Sequence, residues 1–129
     1  MMFEIDPKDR NIPVIPPRGE RMRVVIDSDA KNEIDDQWAI ALAILSPERF
    51  EIEGFVGASF DNRRGGPDGV AKSVHEIETV LERAGMPGRW PVLPGSHPMR
   101  DQFEPSASEG VDFIIERAMA GSPADPLWV

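Results

Sequence analysis

Five carboxylates fall within ten residues, at Asp27, Asp29, Glu33, Asp35 and Asp36. So many like charges at one chain reversal repel each other unless a cation binds there or water screens them. All are hard oxygen donors with no His or Cys among them, which favours Ca²⁺ or Mg²⁺ over zinc. A divalent ion held there would relieve the repulsion, orient a water molecule and lower its pKa, and a neighbouring carboxylate could take the proton. Acids at a helix N-terminus are also favourable through the macrodipole alone, by about 0.3–1 kcal/mol each. Capping accounts for Asp35 or Asp36. It does not account for two acids spaced i, i+2 at Asp27 and Asp29.

The flanking elements must position this cluster. Met22 to Asp27 is a short β-branched run that predicts a buried strand. Trp38 to Leu45 is apolar almost all round, which predicts a helix buried on most of its surface, Trp38 included. Asp35 or Asp36 is its expected N-cap and Ser46-Pro47 its end. Phe50 to Gly57 predicts a second strand, and a polar loop from Asp61 to Gly69 follows. Val70, Val74, Ile77, Leu81 and Ala84 keep the spacing of one helical face, with Gly85 as the stop. Pro91-Val92-Leu93 predicts a third strand. A third helix is expected over about residues 106–120, with Ala107, Val111, Ile114, Ile115 and Ala118 inward.

Strand alternating with helix three times implies a three-layer, Rossmann-like α/β architecture, a mostly parallel sheet joined by right-handed βαβ crossovers. Ligands bind such sheets outside the carboxyl ends of the strands. Asp27 and Asp29 fall at such an end, and the loop after them can carry Asp35 and Asp36 to the same point. Pro126 to Val129 opens another apolar strand. A strand there is expected inside a sheet, so residues 22–129 are expected to be the N-terminal portion of a larger α/β domain. Residues 1–21 are polar and proline-punctuated, an extended arm with Val14 and Ile15 able to pin it.

Composition narrows the function classes. With 23 acidic against 14 basic residues the net charge is −9, which disfavours nucleic acid and anionic membranes as partners. There is no cysteine, so disulfides, thiolate metal sites and cysteine nucleophiles are excluded. The N-terminus lacks the basic and apolar regions of a signal peptide, and no apolar run reaches the ~20 residues of a membrane span. A cytoplasmic protein is the expectation. There is no phosphate-cradling Gly-x-Gly-x-x-Gly or P-loop after the first strand.

The run Val25-Ile26-Asp27-Ser28-Asp29, then Asp35-Asp36-Gln37-Trp38-Ala39-Ile40, resembles the signature of the inosine–uridine-preferring nucleoside hydrolases. In that family strand one ends in Asp-x-Asp-Pro-Gly-x-Asp-Asp before a small-apolar helix. Phe50 to Val56, Pro91 to Gly95, and Gly110 to Val129 are similar to its following elements, so the resemblance covers about residues 22–129. It implies a calcium-dependent hydrolase of an N-glycosidic bond in a nucleoside or related ribosyl compound. By position, Asp29 matches the general base and a calcium ligand, and Asp36 matches the bidentate calcium ligand. Asp35 matches the group that holds ribose hydroxyls, and Asp27 is a supporting ligand. Two departures mark a divergent branch. The spacer Ala30-Lys31-Asn32-Glu33-Ile34 is longer than Pro-Gly-x. Ala58-Ser59-Phe60-Asp61-Asn62 replaces the Gly-Asn ribose turn, with Ser59 or Asn62 as substitutes for substrate binding.

Other readings stand beside this one. A haloacid-dehalogenase-like phosphohydrolase also carries Asp-x-Asp at the end of strand one, with Asp27 as nucleophile, Asp29 as acid/base and Mg²⁺. That scheme gives Asp35 and Asp36 no role. A non-catalytic cation- or sugar-binding domain needs only the cluster itself. His75 is expected on a helix surface, and His97 past strand three at the functional edge. Arg63 and Arg64 are expected in a solvated loop. A homo-oligomer is compatible with a bare strand edge.

Overall fold

A computed structural model describes residues 14–60, 66–99, 101 and 103–129. Its elements are β1 (Met22–Ser28), α1 (Asp35–Ile44), β2 (Phe50–Gly57), α2 (Gly69–Arg83), β3 (Val92–Pro94), α3 (Glu109–Met119) and β4 (Leu127–Trp128). The four strands form one sheet in the order β3-β2-β1-β4, every pair parallel. The α/β class and the parallel sheet expected from the alternation are therefore present. Among the described residues no helix is long and apolar enough to cross a membrane.

Both faces of the sheet are occupied. Phe55 is fully buried in a core with Ile40 and Ile44 of α1 and Ile77 and Leu81 of α2. Gly54 and Val56, pointing the other way, lie against Phe113 and Gly110 of α3. A bulge makes this possible. Val24 pairs with Ile52 but Val25 pairs with Gly54, so Glu53 is the extra residue. Ile52 and Phe55, three positions apart, thus share one core cluster.

Helix ends follow local chemistry. α2 closes with Gly85 at φ 73°, its N–H on the Glu82 carbonyl and the Met86 N–H on the Leu81 carbonyl, both at 2.9 Å. That pair of bonds is a Schellman motif, available here because glycine tolerates positive φ. α3 starts at Ser108, whose hydroxyl accepts from the Val111 N–H at 3.1 Å.

Three expectations are corrected. α1 has Ile34 in the N-cap position with no side-chain cap, and Asp35 and Asp36 are instead its first two residues. It is buried on one side only, because the sheet and α2 lie on that side; Trp38 is exposed, not core. In α3 Gly110 is buried and Val111, Phe113, Ile114 and Arg117 are half-buried, so Val111 and Ile114 lie as expected, while Ala107, Ile115 and Ala118 are exposed. Space for Phe113 comes from Gly54, where a Cβ would stand 2.8 Å from its ring.

Away from the strand C-termini an ionic network ties the sheet to α3. Arg23 Nε donates to Glu53 Oε1 at 2.6 Å, and its NH2 donates to the Arg117 carbonyl at 3.1 Å. The Glu53 hydrogen bond is the main cause that raises the Arg23 pKa. Arg117 Nε stands 3.9 Å from Glu53 Oε2, an ion pair too long for a hydrogen bond, which leaves both atoms buried without one. Before β1, Arg49 donates to the carbonyls of Pro16, Pro17 and Glu20 and fixes the end of the N-terminal arm against the start of β2.

Packing is close at the carboxyl end of β2. A Cβ on Gly57 would meet Val74 Cγ2 at 2.6 Å and the Val74 backbone nitrogen at 2.8 Å. Gly57→Ala is expected to cost about 1–3 kcal/mol through overpacking against a backbone that cannot step aside. Urea denaturation of the two proteins checks it.

Candidate functional site

Parallel pairing carries the ends of β1 and β2 to one edge. Ser28 is opposite Gly57, and the Ala58 N–H donates to the Ser28 carbonyl at 2.8 Å. Asp29 follows Ser28 directly and Ser59 is two residues past Gly57, so both leave the sheet at this edge. Asn62 lies outside the described residues, as do Arg63 and Arg64.

The acidic loop is held in place by neutral and cationic partners. Ala30 is fully buried in the core, which pins the loop from below. Asn32 closes a turn, its backbone N–H on the Asp29 carbonyl at 2.7 Å and its Nδ2 on Asp29 Oδ2 at 2.9 Å. Ser28 Oγ donates to Asp36 Oδ1 at 2.5 Å, which draws the start of α1 to the end of β1. Lys31 pairs with Glu76 of α2 at 2.7 Å. Gln37 Nε2 donates to the Ala30 carbonyl at 2.7 Å and to Glu76 Oε1 at 3.1 Å. Both partners accept, so the amide orientation is determined, and Gln37 Oε1 is left buried without a hydrogen bond.

The electrostatics follow from these contacts. Desolvation first, and then the charge of Asp29, raise the Asp27 pKa. Two carboxylates at one strand end disfavour each other's ionised form, and a cation between them would remove that cost. Glu76 is shifted the other way: hydrogen bonds from Lys31 and Gln37 lower its pKa from the ordinary 4.5.

Of the four carboxylates expected at one point, two interact directly and a third is tethered. Asp27 and Asp29 interact, and Asp36 is bound to the residue between them. Asp35 is exposed on the first turn of α1, apart from these contacts. Among the described residues no three His, Cys, Asp or Glu side chains are grouped so as to hold a metal ion. The physical reason is visible in the partners: Asp29 and Asp36 each turn to a neutral donor, Asn32 and Ser28. In donor chemistry the set fits a hard cation, oxygen throughout; in geometry it supplies a pair and a tethered third carboxylate rather than a closed cage. His75 and His97 line a shallow cleft with Asp68, Val74, Glu78 and Pro94.

Sequence reasoning missed the brace formed by Lys31, Gln37 and Glu76. Its only trace was the extra charge in the long spacer, where Lys31 interrupts a run of acids. No protein-family model, curated protein or solved structure matches the chain.

The brace has a definite pH signature. A carboxylate whose folded-state pKa is depressed contributes stability that is fully present above its unfolded value and is lost as pH falls through the folded value. Ionisation of Asp27 works in the opposite sense: its cost to the fold is absent below the unfolded value and complete above the raised one. Glu76→Gln is expected to lose about 1 kcal/mol at neutral pH and to flatten the acid limb of the stability curve. Denaturation midpoints from neutral pH to below the carboxylate range measure both.

Proposed function

We propose that this chain hydrolyses an N-glycosidic bond in a nucleoside or related ribosyl compound, using calcium and a water activated by Asp29. The observation that carries the reading is the coupling at the end of β1. Burial and then the charge of Asp29 raise the pKa of Asp27, and Ser28, between them, donates to Asp36. These contacts lie at the carboxyl end of a parallel strand, where such sheets bind their ligands. The motif resemblance to the nucleoside hydrolases assigns a job to each.

The residues that would hold the ion are Asp27, Asp29 and Asp36, with magnesium the less suitable ion for so loose a set. When bound, calcium neutralises the cluster and makes a coordinated water more acidic. The protein's own part is positional. Asn32 fixes one oxygen of Asp29, which leaves the other to accept the proton of the attacking water. The water oxygen bonds to the ribose C1′ as the C1′–N bond breaks, and its electron pair leaves with the nitrogen. Positive charge builds on the sugar in an oxocarbenium-like transition state, which a carboxylate-lined edge stabilises. Asp35, exposed beside Asp36, and Ser59, two residues past the end of β2, are the groups for ribose hydroxyls.

The phosphohydrolase reading is weaker on this geometry. It gives Asp35 and Asp36 no role. It also leaves the bond from Ser28 to Asp36 without a purpose.

Calcium is expected to raise the thermal midpoint of the chain, and reducing-sugar release from nucleosides is expected to depend on it. Asp29→Ala should lower turnover by at least about 10²-fold, the contribution of a general base. Equal turnover in both proteins removes Asp29 as the base. Calcium binding without sugar release identifies a binding domain instead. Phosphate release from p-nitrophenyl phosphate, lost in Asp27→Asn, identifies the phosphohydrolase.

A further inference from the structure

The side of α1 turned away from the sheet carries Ile34, Trp38, Leu42 and Leu45, exposed at 72%, 71%, 66% and 70%. At 100° per residue these positions fall within an arc of about 80°, and they run for about 16 Å along the helix. Single exposed hydrophobics are ordinary, but a continuous stripe that includes a tryptophan marks an interaction surface. Beside it the sheet is open. β4 pairs with β1 only at Arg23 and Val24, and an apolar groove lies along Ile26, Ala43, Phe50, Trp128 and Val129.

We propose that this face binds a second copy of the chain, with the two α1 helices antiparallel across a two-fold axis. The charges at the ends of the stripe select that occupant. Its N-terminal end is flanked by Glu33 and Asp35, exposed and without an ion pair among the described residues. At its C-terminal end Arg18 and Arg49 line a depression with Leu42 and Phe50, against one acid, Glu48. Arg49 is hydrogen-bonded to backbone carbonyls, which leaves its charge uncompensated there. The stripe is therefore acidic at one end, apolar in the middle and basic at the other. Such a surface is complementary to itself when reversed and repulsive when aligned, the requirement of an isologous interface. Antiparallel helices also oppose their macrodipoles. The apolar centre supplies a Trp38 anchor, the residue type that dominates interface energetics.

This inference is independent of the hydrolase reading, and so is its test. Sedimentation velocity and light scattering of the full chain, from micromolar to submillimolar concentration, are expected to give twice the 14.3 kDa chain mass. Leu42→Glu should weaken self-association by about 30-fold or more, as a hot-spot substitution does. Arg18→Glu should weaken it too, and Glu33→Arg with Asp35→Arg in the same chain should restore it. Circular dichroism checks that these surface variants keep their fold. A monomer throughout the range overturns the proposal. So does a dimer that tolerates Leu42→Glu, aggregation without a fixed mass, or failure of the charge reversal to rescue.

Discussion

The parallel pairing of β1 with β2 is the constraint on which the rest depends. Parallel strands cannot be joined by a tight turn, so each connection must climb back over the sheet, and all carboxyl ends emerge at one edge. Ser28 against Gly57, with Ala58 bonded back to Ser28, fixes where both chains leave the sheet. Glycines keep that edge compact. Gly57 admits Val74, Gly95 donates its N–H to the Gly57 carbonyl at 3.0 Å, and Gly110 fits against Val56 and Pro94. The acidic loop therefore rises from a rigid base, though the loop itself is polar and charged.

Charge is divided along the molecule in a way that suits this. The cationic side chains that enter the fold, Arg23 and Arg117, serve Glu53 within the sheet and beside α3. At the carboxyl edge Asp27 and Asp29 have no cationic partner among the described residues, and Lys31 is engaged by Glu76. Negative charge is thus left uncompensated at one edge while it is compensated within the sheet. A fold that concentrates like charge at a strand end gives up stability there, which is the usual mark of a place where something binds.

Much of the architecture was legible because hydrophobic period and glycine placement are local signals. β2 has the ends its sequence predicts, and Gly85 stops α2 as its sequence predicts. α1 was misread for a physical reason. A helix apolar all round reads as buried, but burial depends on what lies beside it, and only one side of α1 faces the sheet. α3 was misread because its inward side is set by a glycine on the neighbouring strand: Gly54 opens the space that Phe113 fills. Side-chain periodicity carries no information about a partner's missing Cβ. In the site, residue types and spacing point to Asp27, Asp29, Asp35 and Asp36, and of these Asp35 stands apart, exposed on the first turn of α1. The tethers that orient them, Ser28 and Asn32, depend on loop geometry that no pattern encodes.

The bulge at Glu53 makes β2 a counted object. Side chains in a strand alternate, so the distance between Ile52 and Phe55 is allowed to be odd only because one residue stands out of register. Drawing Glu53 into the ladder opposite Val25 would keep every side chain chemically intact yet exchange the two faces beyond it. Phe55 would turn toward α3, and Gly57 would no longer lie under Val74. Composition would not change. The carboxyl edge would be rebuilt by a change of parity.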